Sequence, residues 1–277
     1  MEYPQFVVKS FFNEGLGNMI KVFFTLLSFD KNSKIQNTDD YMFGNYDTIF
    51  ADKHIYKGNG ENVLYLTGCR FTLLKEDEEG QEDLSYYSTE IDNDSINNVD
   101  FYKYFPISNF KIDMCYDPSK ISTKIKNKFL NIKTSVSYTE IINQKIHNLN
   151  KTRKTLGISV RTWNCKHESN IYRDYDFDLY KVTINDVLIK HDINQIILSI
   201  DNHENNDYLD PYIQLFKQLN INYTILYHDS DLNELQNAFI KMYKLSLCEY
   251  FICNRISTFS ELVFWYSNLE IKVYTVC

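Results

Sequence analysis

From about residue 156 to the C-terminus, short apolar runs alternate with longer stretches in which apolar residues recur at helical spacing. In order, the pattern predicts strands at 157–161, 195–200, 221–227, 250–253 and 271–276, with helices at 183–190, 211–219, 232–244 and 259–267 between them. Strands separated by helices imply right-handed crossovers and a parallel sheet covered on both faces, a Rossmann-like layer. Local chemistry marks the helix starts: Asp210 stands before Pro211 at an expected first helical position, and Asp231 with Glu234 has the spacing of a capping box.

The first half has a looser pattern. Phe6-Val7-Val8 reads as a strand that leads through the turn Gly15-Leu16-Gly17-Asn18 into a helix over 19–29. A short strand is expected at 62–67, a solvated acidic loop over 75–98, and a solvated lysine-bearing face over 120–133. A helix over 137–150, with Ile141, Ile142, Ile146 and Leu149 on one face, closes this half, and residues 150–154 read as a linker. The expected domains are therefore 1–152 and 153–277.

Composition narrows the classes. The chain has 277 residues, 44% of them hydrophobic and 16% aromatic, enough for the cores of two modest domains. A net charge of −8 with no basic block argues against sequence-independent nucleic-acid binding, so an anionic ligand must be held by a few placed groups. The six cysteines form no Cys-x-x-Cys pair and have no His at ligand spacing, which points to buried, reduced thiols and to no metal site. Met1-Glu2-Tyr3-Pro4 lacks the basic start of a signal peptide, and the apolar run 20–29 falls short of the roughly 20 residues that span a bilayer. A soluble, cytoplasmic protein without a membrane anchor is expected.

The chemistry concentrates in three places. Tyr250-Phe251-Ile252-Cys253 feeds a helix through a hydroxyl-rich turn, so Ser257, Thr258 and Ser260 fall where the first helical amides have no internal partner, and hydroxyls and amides together can hold a phosphate. Arg161 ends a short strand that carries Ser159, and its planar fork of donors suits two phosphate oxygens. Gly17 and Asn18 form the turn in the first half. No glycine follows Gly157, which excludes both the Gly-x-Gly-x-x-Gly fingerprint and the Walker loop there. Asp174-Tyr175-Asp176 offers an Asp-x-Asp pattern as a rival, metal-dependent reading.

The ordered set Gly15-Leu16-Gly17-Asn18, Ser159-Val160-Arg161, Leu198-Ser199-Ile200-Asp201 and Ser257-Thr258-Phe259-Ser260 resembles the GT-B fucosyltransferases that make alpha-1,2, alpha-1,6 and protein O-fucose linkages. The resemblance implies an α/β fold of two Rossmann-like domains facing a cleft, with a parallel sheet in the C-terminal half. It implies a metal-independent, inverting transfer of fucose from GDP-fucose to a glycan acceptor hydroxyl, with no cofactor. Arg161 would steady the departing diphosphate, and Glu168, with His167 as a competing base, would take the acceptor proton. Gly17, Asn18, Ser159, Asp201 and residues 257–260 would contact the donor. Ser159 stands where the family usually has His, so another nucleotide sugar, a pentose or deoxyhexose donor, remains an alternative. An inactive nucleotide- or glycan-binding module is a second one.

Overall fold

A computed structural model describes residues 5–9, 16–37, 45–58, 63–66, 123–162, 175–201, 206–254 and 257–276. They form two compact units. The first holds β1 (Gln5–Lys9), α1 (Leu16–Phe29), β2 (Lys34–Gln36), β3 (Val63–Leu66), α2 (Thr123–Ser135) and the start of α3 (Glu140–His147), together with Asn233–Ala238 from the start of a later helix. The second holds β4 (Thr155–Val160), α4 (Phe177–Lys190), β5 (Gln195–Ile200), α5 (Asn206–Gln218), β6 (Asn222–Ile225), most of α6 (Glu234–Leu245), β7 (Tyr250–Asn254), α7 (Thr258–Tyr266) and β8 (Lys272–Val276).

The first unit is built on a three-stranded parallel sheet in the order β2-β1-β3. Leu16, Met19, Ile20, Phe23, Phe24, Leu26 and Leu27 of α1 are all buried; at helical spacing they form one broad apolar face, which lies in the core of the unit. Phe23 meets Phe50 edge-on at 5.3 Å between ring centroids and His54 at 5.7 Å. His54 is only 6% exposed, and its Nε2 accepts the Ser137 backbone N–H at 3.0 Å. That acceptor role requires a neutral ring. Burial, with help from Lys53 and Lys34, pushes its pKa down to about 4.

The second unit is a five-stranded, all-parallel sheet in the order β6-β5-β4-β7-β8. β4 lies at its centre, paired with β5 through Leu156↔Ile196, Ile158↔Leu198 and Val160↔Ile200, and with β7 through Leu156↔Tyr250 and Ile158↔Ile252. Alternation sends these residues to one face, where α4 packs Tyr180, Ile184 and Val187 on them and α5 packs Leu209, Tyr212, Leu215 and Phe216. Gly157 points the other way, toward α6. A Cβ there would stand 3.1 Å from Cys248 Sγ and 3.2 Å from Leu245 Cδ2, so the absence of a side chain is what lets this helix end close on the central strand. Helices thus cover both faces, and β4 is buried on both.

Several expected boundaries move. Helix α4 begins at Phe177 rather than 183, because Asp176 caps it by accepting the Asp178 N–H at 2.9 Å. Pro211 sits inside α5, not at its first position, since Asn206 to Asp210 are already helical. The capping box of α6 is Asn233 with Gln236, which exchange bonds of 2.8 and 3.0 Å, instead of Asp231 with Glu234. Residues 75–98 lie outside the described set.

The depressed pKa of His54 ties stability to pH. The folded value of about 4 lies below the ordinary 6.5, so the unfolded chain binds the extra proton between them. The contribution is fully present above pH 6.5 and is lost as pH falls to about 4, by up to about 3 kcal/mol. Urea midpoints measured from pH 7 to pH 4 should fall less steeply in His54→Gln, which keeps an acceptor but cannot take a proton.

Candidate functional site

In an all-parallel sheet every strand ends at the same edge, and in this one the strand order reverses beside β4, with β5 on one side and β7 on the other. Connections leaving β4 and β7 therefore diverge to opposite faces and leave a crevice at the carboxyl edge, where such sheets bind ligands. The three chemically suggestive segments of the second half all reach this edge. Ser159 is the penultimate residue of β4 and Arg161 follows its end, Asp201 follows the end of β5, and Ser257 to Ser260 begin α7 after β7. Register sets Val160 beside Ile200, so Arg161 and Asp201 leave neighbouring strands at the same level.

Asp201 is bound into this edge. Its backbone N–H donates to the Val160 carbonyl at 3.3 Å, while its carboxylate accepts the Thr162 backbone N–H at 2.9 and 3.1 Å and the Thr162 hydroxyl at 2.7 Å. It closes the turn that carries the half-buried Arg161. From below, the Tyr180 hydroxyl donates to the Ser159 carbonyl at 3.4 Å. Burial holds the phenol neutral, and the neighbouring Asp201 carboxylate acts in the same direction.

The α7 terminus has its own geometry. Ser257 is the N-cap and accepts the Ser260 N–H at 3.3 Å, while the Glu261 N–H bonds the Ser257 carbonyl at 2.9 Å. By helix geometry the amides of Thr258 and Phe259 have no intrahelical acceptor. The Ser257 oxygen is engaged as an acceptor, which leaves its proton to donate. The Ser260 hydroxyl is buried without a hydrogen-bond partner and lies beside the Cys253 thiol, whose pKa burial pushes up to about 12. The floor between Tyr180 and Ser260 is accordingly neutral.

Gly17 and Asn18 occupy the first turn of α1 in the first unit, because the helix starts at Leu16; they are helical and not the turn before it. A first turn tolerates Gly and Asn, whose amides have no internal acceptor there anyway. Glu168, His167 and Asp174 fall outside the described residues. Asp176 is engaged as the cap of α4, and among the described residues no cluster of three or more His, Cys, Asp or Glu could hold a metal ion. No described helix is long and apolar enough to cross a membrane. Sequence reasoning missed Tyr180 and Thr162. Tyr180, Ile184 and Val187 repeat at helical spacing, a signal hidden by starting that helix at 183.

This architecture recurs in solved structures. POFUT1 in complex with GDP superposes with a TM-score of 0.53 over 99% of this chain and 99% of its own, at 11% identity. POFUT1 in complex with GDP-fucose gives a TM-score of 0.53 over 98% of each chain, also at 11% identity. A variant of Arabidopsis thaliana FUT1 in complex with GDP gives a TM-score of 0.50 at 12% identity, covering 98% of this chain and 70% of that one. No family model matches the sequence, and no curated protein does. The chain has a GT-B fucosyltransferase-like fold, and at this identity the likeness shows the fold alone.

The Asp201 brace is open to a direct check. Asp201→Ala removes the acceptor for the Thr162 N–H and hydroxyl, and should cost about 1–2 kcal/mol of stability in urea unfolding. Amide hydrogen exchange should quicken at Thr162 and leave the β4–β7 ladder protected.

Proposed function

We propose that this chain is an inverting glycosyltransferase that moves a sugar from a nucleotide diphosphate donor, GDP-fucose foremost, to a glycan hydroxyl. The observation that carries this reading is the meeting of Arg161, the Asp201-braced turn and the α7 N-terminus at one carboxyl edge, where the strand order reverses. The GDP and GDP-fucose in the titles of the structural neighbours support the choice of donor. The donor-site geometry argued from comes from the second unit.

In this reading the two phosphates are held differently. Arg161 offers a fixed charge and a planar fork, able to take two oxygens of the diphosphate and to stabilise the charge that grows there as the sugar leaves. The Thr258 and Phe259 amides and the Ser257 proton serve the other phosphate, favoured by the helix dipole. Ser159 and Asp201 flank the donor, Asp201 chiefly by shaping the turn. Glu168 is the proposed base for the acceptor hydroxyl, with His167 as its competitor. The donor domain is taken as 153–277 and the acceptor side as 1–152. Localisation in the cytoplasm belongs to the same proposal.

Calorimetry with GDP tests the centre of this reading. Arg161→Ala should weaken binding by about 1.5–3 kcal/mol, the range for a lost charge-assisted bond. Arg161→Lys should recover only part of it, because an ammonium lacks the fork. Unchanged affinity in both variants, each shown to be folded, would remove the donor site.

Transfer or donor hydrolysis should also persist in excess EDTA, because Asp176 of the Asp-x-Asp pattern is engaged in capping α4. Loss of activity restored by manganese or magnesium would overturn metal independence.

A further inference from the structure

We propose that Tyr180 is a positioning residue for the donor site: its hydroxyl, opposite the Asp201 brace, fixes the end of β4 so that Arg161 is presented in one orientation. This deepens the donor-site reading above and rests on it. The ladder of β4 ends at Val160, so its hydrogen bonds no longer dictate the path of Arg161 and Thr162. Outside groups take over residue by residue. Tyr180 Oη donates to the Ser159 carbonyl at 3.4 Å, the Asp201 N–H donates to the Val160 carbonyl at 3.3 Å, and the Asp201 carboxylate takes the Thr162 N–H and hydroxyl at 2.9 and 2.7 Å. Residues 159, 160 and 162 are thus tied from both sides of the strand end, with Arg161 between them.

The phenol itself cannot swing away. Tyr180 is only 2% exposed, and its ring lies 6.0 Å from that of Tyr212 at 78° and 6.3 Å from that of Tyr175. Phenylalanine would fill the same space and spare the cost of burying a hydroxyl, so packing accounts for the ring and not for the oxygen. Burial keeps the group uncharged, and its influence on Arg161 is therefore steric and directional rather than coulombic. A side chain aimed before the ligand arrives loses less entropy on binding, and small misplacements of a phosphate clamp are costly.

Calorimetric titration of the full chain with GDP, arranged as a double-mutant cycle, tests the role. Tyr180→Phe should weaken GDP binding about three- to tenfold in the presence of Arg161, the effect of one hydrogen bond. It should add nothing when Arg161 is already alanine. Thr162→Val removes one bond of the opposite brace without disturbing the aromatic cluster, and should show the same dependence on Arg161. It serves if Tyr180→Phe does not fold. The same loss in both backgrounds, or no loss in either, overturns the positioning role. If Arg161→Ala weakens GDP and the other variants do not, only this inference fails; if Arg161→Ala has no effect, the donor-site reading fails as well.

Discussion

Burial of β4 on both faces governs the second unit. The strand pairs with β5 along its length and with β7 at Leu156, Gly157 and Ile158, packs Leu156, Ile158 and Val160 under α4 and α5, and uses Gly157 to let the end of α6 approach within contact distance of its backbone. Burying each such aliphatic side chain is worth about 1.5–3 kcal/mol, and truncating one to alanine in a close-packed core costs about 2–5 kcal/mol. A strand held that firmly ends at a fixed place. Arg161, Asp201 and the α7 cap derive their positions from it, since each lies at or just beyond the end of β4 or of a strand in register with it.

The edge achieves its polarity with neutral groups beneath it. Cys253 and Tyr180 are buried and hold their protons, so neither adds negative charge beneath the place where phosphate is proposed to bind. The carboxylate of Asp201 is turned to account by Thr162, which donates to it twice over from backbone and side chain. A wholly apolar floor would leave the Ser159 carbonyl without the Tyr180 bond, and buried acceptors without donors are costly. The site is thus stiffened by hydroxyls where a glycine-rich loop would use backbone amides.

The first unit shows the opposite economy. Its helix α1 buries one broad apolar face, and the neutral His54 ring closes the core by accepting one backbone N–H from Ser137. Here the polar group serves the fold. Its cost appears in acid, where the ring must take a proton in the unfolded chain before it can do so in the folded one.

Alternation of apolar runs with helical spacing was enough to read the five strands of the second sheet from the sequence, because β4, β5, β7 and β8 are local, mostly buried runs of five or six residues, and only the edge strand β6 is not buried. The hydroxyl turn at 257–260 and the strand-end Arg161 were legible for the same reason: both are defined by what immediately precedes them along the chain. Helix starts were less legible. Asp176 caps α4 well ahead of its expected start, Asn233 rather than Asp231 caps α6, and Pro211 lies inside α5. Strand order, and with it the neighbourhood of Arg161 and Asp201, was settled only by tertiary structure. So was the task of Tyr180, because a hydroxyl meets a distant carbonyl only after a crossover helix has been laid on the sheet.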